Sequence, residues 1–140
     1  MKLTLNGMSL RSGDPTLKLD HPWTAHPSIQ ITASAAGDLK WVYLPLPLLQ
    51  GNAIKNITLY YHNSNAASYI SQTRLVDQTS PDQAFVKHDD GTDLRSIVAT
   101  SYTSNVGNLV VAGSTVLMFR LFFANNVDVI RIGAIIVEYQ

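Results

Sequence analysis

Apolar and polar residues alternate with period two through most of the chain, and clusters of turn-forming residues separate the alternating runs. Residues 2–5 and 16–19 read as short strands on either side of the breaker Ser12-Gly13-Asp14-Pro15. Residues 28–32 form a third, and 41–44 a fourth that Pro45 and Pro47 end, because proline cannot donate to a sheet ladder. Residues 53–63, 69–77 and 84–88 continue the pattern, with Ser80-Pro81-Asp82 between the last two. Asp89-Asp90-Gly91-Thr92 predicts a tight hairpin connection, since Gly91 can adopt the positive φ such a turn requires.

Residues 93–103 fit two periods. Leu94, Ile97, Val98 and Tyr102 would share a helical face, but β-branched and hydroxyl residues dominate, which favours a strand. Strands at 108–112 and 116–124 follow. In the second, Arg120 must reach an edge, a carboxylate or solvent. The chain then turns at Asn125-Asn126 into 128–132, and Gly133 predicts a bulge ahead of a last strand at 134–139. About eight to ten short strands and no helix of normal length define an all-β fold, an antiparallel two-sheet β-sandwich of jelly-roll type. Neither linker nor internal repeat divides the chain, so residues 1–140 are expected to form one domain, with 1–20 as an N-terminal arm or edge-strand segment.

Composition narrows the chemistry. The chain contains no cysteine, which removes disulfides, thiolate metal sites and Cys nucleophiles. Ten basic residues balance ten acidic ones, so no net field attracts a phosphate backbone, and nucleic acid is not an expected partner. Charged residues are only 14% of the chain, leaving Ser, Thr and Asn to cover much of the surface. No apolar run is long enough for a membrane span or for a signal peptide at the N-terminus. The expected setting is therefore a virion or extracellular assembly reached from the cytoplasm without a signal in this chain.

Candidate sites are few. Asp89, Asp90 and Asp93 around Gly91 could offer oxygens to calcium, but the ligand alternation of a calcium loop and its closing Glu are missing, which favours a solvated hairpin. His21, His26, His62 and His88 lack metal-ligand spacing and read as surface or interface residues. There is no Gly-x-Ser-x-Gly elbow, Ser68 and Ser71 read as strand and loop residues, and the carboxylates sit mostly in turns. The expectation is a non-enzyme without catalytic residues or cofactor. Trp23, Trp41, Tyr43, Tyr60, Tyr61, Tyr69 and Tyr102 form an aromatic set from which a sugar-stacking face could be drawn. Trp23, Tyr60 and Tyr69 are the chosen stacking residues, Tyr60 because its neighbour Tyr61 must point to the opposite face of the strand.

The central segments Tyr43-Leu-Pro-Leu-Pro47, Gly51-Asn-Ala-Ile54, Ile57-Thr-Leu-Tyr-Tyr61 and Ile70-Ser-Gln-Thr-Arg-Leu75 are similar to a pattern in uncharacterised β-sandwich modules of bacterial and phage-associated surface and fibre proteins. That resemblance implies a structural role and supplies no catalytic residues. The expected function is a structural subunit that self-associates into a homo-oligomer, as a virion, phage-tail or fibre component. The alternative is a carbohydrate-binding or adhesion module that takes a cell-surface glycan on its exposed aromatics.

Overall fold

The computed structural model describes residues 1–140 other than Trp23 and Ala25. Eleven strands follow in order: β1 (Lys2–Asn6), β2 (Arg11–Ser12), β3 (Leu17–Asp20), β4 (Ile29–Ala33), β5 (Gly37–Pro45), β6 (Ala53–Asn63), β7 (Tyr69–Asp77), β8 (Phe85–Asp90), β9 (Thr100–Val110), β10 (Thr115–Phe123) and β11 (Ile130–Tyr139). Sheet A has the order β3-β4-β11-β6-β9, with β1 also paired to β11, and sheet B has the order β2-β5-β10-β7-β8. All pairings within the sheets are antiparallel. The all-β two-sheet sandwich expected from the alternation is what forms, and no α-helix occurs among the described residues.

Alternation decides which residues fill the space between the sheets. In β10, Leu117, Phe119, Leu121 and Phe123 are fully buried, while Val116, Met118, Arg120 and Phe122 face outward and stay partly exposed. Sheet A answers with Ile29 and Ile31 from β4, Ile57 and Leu59 from β6, and Ile130, Ile132, Ile135 and Val137 from β11. In β11 the inward spacing changes from two residues to three between Ile132 and Ile135, which lie opposite Tyr61 and Leu59. This is the bulge predicted at Gly133. It keeps both isoleucines in the core despite the extra residue.

The bulge also divides one edge of β11 between two partners. β4 pairs with Ile130–Ile132, and β1 pairs with the stretch from Ala134 to Glu138. At the junction the chain makes a single 3-10 turn, Gly7–Ser9, whose Gly7 is buried. A Cβ at Gly7 would lie 2.5 Å from the carbonyl oxygen of Ile132 and 2.9 Å from that of Gly133, so only glycine fits without moving the bulge. Residues 1–20 thus give β1 to sheet A, while β3 lies at the edge of sheet A and β2 at the edge of sheet B.

Three local expectations are corrected. Asp89 and Asp90 end strand β8 rather than forming a hairpin, because their carboxylates find partners on β7 and β9. The segment after them is a crossing from sheet B to sheet A, not the expected strand from residue 93. It is tied down by Leu94, which is buried and forms an isolated bridge with Ile70. Finally, β9 runs without interruption from Thr100 to Val110, through the gap expected between strands at 103 and 108. It absorbs the turn signal as a bulge, with Gly107 at φ 75° and Asn108 at φ 68°.

Candidate functional site

The outer face of sheet B carries a dense mixture of aromatic and polar side chains. On β5, Val42 and Leu44 point inward, so Trp41 and Tyr43 are successive outward residues, spaced by about 7 Å along the strand. The register places Arg120 and then Gln72 beside Trp41, and Met118, Arg74 and Asp89 beside Tyr43. Arg74 lies over the Trp41 ring at 4.7 Å from its centre. Gln72 and Val76 also belong to this outward set, yet they are only 9% and 4% exposed. Neighbouring side chains on the same face shield them. A cavity of about 470 Å³ lies at one end of the face, between Tyr43, Pro45, Val76 and Met118.

Arg74 and Arg120 are paired within this face, while Arg11 of β2, in register with Tyr43, is exposed and has no carboxylate within salt-bridge distance among the described residues. Arg74 grips Asp89 through Nε and Nη2 at 3.2 and 3.0 Å. That pairing, helped by a hydrogen bond from Gln72 and opposed by partial burial, holds the Asp89 carboxyl below the usual carboxylate range. Arg120 donates from Nε to Ser71 Oγ at 2.9 Å and lies 3.6 Å from Asp38, which is the carboxylate its position in the strand demanded. Gln72 spends its amide N–H on Asp89, and its Oε1 is buried without a hydrogen-bond partner among the described residues. The face therefore offers ring surfaces and orienting guanidinium groups. Such a surface suits ligands that carry both hydroxyl groups and apolar C–H faces.

The sequence-chosen stacking residues are spread over the molecule. Trp23 lies outside the described residues. Tyr60 is 45% exposed on the outer face of sheet A, and Tyr69 lies on sheet B. One face of the Tyr69 ring is covered by the Arg95 guanidinium at 3.6 Å, and Phe122 packs at 5.3 Å. Trp41 and Tyr43 belonged to the aromatic set but were not singled out. Their period-two spacing opposite Val42 and Leu44 was the signal that could have found them.

The three aspartates do not converge. Asp89 belongs to Arg74, Asp93 pairs with Arg95 at 3.2 Å, and Asp90 turns into the gap between the sheets. Among the described residues no three His, Asp or Glu side chains gather as a metal site. Asp90 instead anchors a clamp between β8 and β9. It accepts from Ser104 Oγ at 2.7 Å, Tyr102 Oη at 2.7 Å, and the hydroxyl and backbone N–H of Thr92 at 2.7 and 3.0 Å. His88 Nε2 lies 2.8 Å from the same Ser104 oxygen. Ser104 has one proton and gives it to Asp90, so His88 must donate from Nε2.

A Ser-His-Asp grouping is therefore present, but its polarity is wrong for activating a nucleophile. The serine faces a carboxylate and an N–H donor, with no acceptor base of the catalytic kind. Burial raises the Asp90 pKa, but the bonds from Ser104, Thr92 and Tyr102 outweigh it and bring the group down to about 2. Burial in turn raises the Tyr102 phenol, and its bond to the Asp90 carboxylate adds to the effect.

Because the folded pKa of Asp90 lies below its ordinary 3.8, the clamp's contribution is fully present above 3.8 and is lost as pH falls towards 2. Partial exposure weakens the effect, so the loss is expected to be on the order of 1–2 kcal/mol. Urea unfolding across that pH window measures it. An Asp90→Asn variant should show a flatter profile, and equal slopes in the two proteins would refute the assignment.

No family model matches the chain, and no curated protein sequence matches it. The two-sheet β-sandwich fold is shared with several solved structures. The chain is similar to the CBM36-1 domain of a multidomain xylanase from the hindgut metagenome of Trinervitermes trinervoides, at 11% identity over 99% of this chain and 97% of that one, with a TM-score of 0.61. It is similar to a carbohydrate-binding module CBM36 in complex with calcium and xylotriose, at 12% identity over 99% of both chains and a TM-score of 0.59. TmCBM61 in complex with β-1,4-galactotriose matches over 94% of this chain and 87% of that one, at 7% identity and a TM-score of 0.63. At such identities the likeness is one of fold. The sandwich expected from the central segments stands, while its attribution to phage-associated surface proteins finds no support in these similarities.

Proposed function

We propose that the chain is a non-catalytic carbohydrate-binding module that takes an uncharged polysaccharide chain across the outer face of sheet B. The observation that carries this reading is the outer face of sheet B, on which Trp41 and Tyr43 stand in line beside Arg74 and Arg120, with a cavity at the Tyr43 end. Sugar rings would lie against Tyr43 and the part of Trp41 that Arg74 leaves uncovered, and ring hydroxyls would meet the guanidinium edges of Arg74 and Arg120. The likeness of the fold to modules solved with xylotriose and galactotriose supports the ligand class.

Affinity electrophoresis through gels containing soluble xylan, galactan or β-glucan tests it, with calorimetry on the matching oligosaccharides. At least one polysaccharide should retard the protein. Trp41→Ala should weaken binding about ten- to a hundredfold, which is what losing one buried aromatic contact of about 1.5–3 kcal/mol implies. No retardation on any of the three, or undiminished retardation of the Trp41→Ala and Tyr43→Ala variants, would refute the proposal.

Self-association through strand edges receives less support from the geometry. β2 is only two residues long, β3 carries Lys18 and Asp20, β8 carries Lys87 and Asp89, β9 is kinked by its bulge, and β1, which pairs only with β11, is five residues long and begins with Lys2. Each is a recognised obstacle to edge-to-edge pairing.

A further inference from the structure

Sheet A carries a second hollow on the opposite side of the molecule, and its chemistry is different. A cavity of about 460 Å³ opens beside Tyr60, His62, Arg131, Gly133, Ser101 and His26. Its origin is local. Tyr60, His62 and Arg131 alternate outward from β6 and β11, with Arg131 directly opposite His62. Gly133, in the β11 bulge, has no side chain to fill the space next to Tyr60, and its neighbours Ser28 and Ser101 are small.

Arg131 distinguishes this hollow from the sheet B face. There, Arg74 and Arg120 each lie beside a carboxylate. Arg131 has no carboxylate within salt-bridge distance among the described residues, and none lines the cavity. Its Nε is buried and has no hydrogen-bond partner among them. Arg131 as a whole is only half-buried and lines the cavity, so its Nη groups are the donors a ligand there would meet, and a planar carboxylate is the group a guanidinium matches best. The imidazoles of His26 and His62 can add N–H donors at the same opening, and the exposed Tyr60 ring offers a stacking surface beside them.

We infer that this cavity binds an acidic sugar, with the uronate carboxylate on Arg131 and the pyranose ring against Tyr60. It is a site separate from the sheet B face and rests on the proposed function only for the choice of a sugar as bearer of the carboxylate. Two substitutions probe it with little risk to the fold. Arg131→Met removes the charge on an outward position. Gly133→Ala adds a methyl that meets nothing closer than 3.8 Å, at Tyr60, and so narrows the floor without a clash.

Titration of the intact chain with sodium glucuronate, glucose and sodium acetate, followed by amide chemical shifts, is the experiment. Glucuronate should bind at least about tenfold tighter than glucose or acetate, and Arg131→Met should remove that margin, as loss of one charge-assisted contact implies. Gly133→Ala should weaken glucuronate in the same direction, and Trp41→Ala should leave it unchanged. Equal response to glucose and glucuronate, acetate binding as well as glucuronate, or glucuronate binding that survives Arg131→Met would each overturn the inference. Because Trp41→Ala reports on the sheet B face alone, failure of one site is read independently of the other.

Discussion

A Phe119→Ala variant is expected to lose about 4 kcal/mol of folding stability, at the upper end of what truncating a core side chain costs. Phe119 lies in β10, the central strand of sheet B, and is fully buried, with Val42 on one side and Thr73 on the other in register. Strands on both flanks restrain the backbone there, so the cavity left by the ring has little freedom to collapse. Urea unfolding should show a lowered midpoint at unchanged slope. Phe122, three residues on, faces outward and is only half-buried, so Phe122→Ala should cost clearly less. Equal losses for the two would contradict the assignment of their faces.

Gly7→Val should be the second severe variant, at about 3 kcal/mol, the scale of forced overpacking in a site that cannot yield easily. The atoms a side chain would strike are backbone carbonyl oxygens of Ile132 and Gly133, at the bulge where β4 hands over to β1 along β11. Relief requires moving the bulge, which also shapes the floor beside Tyr60. Thermal unfolding measures the loss, and amide shifts of Tyr60 and Arg131 should move with it. A variant as stable as the parent would show that the turn at Gly7 can lift away from β11.

Much of the scaffold was legible because a half-buried strand writes its faces into the sequence. β6 and β7 coincide with the alternating runs 53–63 and 69–77, and the Gly133 bulge showed as a glycine between two inward series. The failures lie where distant partners outvote local signals. Asp-Gly at 90–91 favours a tight turn, yet Arg74, 15 residues before Asp89, and Ser104, 14 residues after Asp90, hold both aspartates in a strand. Gly107 and Asn108 were read as a break, but pairing of β9 with β6 on either side converts them into a bulge. The outer face of sheet B needed the register of three strands before Trp41, Arg74 and Gln72 could be seen together. Tyr60 and Arg131 are 71 positions apart, and only the sheet brings them to one opening.

The position of β11 has a consequence for how the molecule is made. β11 lies in the interior of sheet A and pairs with β1, β4 and β6, so strands more than 120 residues apart in sequence are neighbours. Until residues 130–139 leave the ribosome, sheet A has no centre, and β4 and β6 expose the apolar faces that β11 would join. Strand pairing over nearly the full sequence length carries a large loop-closure entropy, which slows folding. Sheet A should therefore form in one cooperative step that waits for β11, and a chain lacking β11 should be the species most in need of a chaperone.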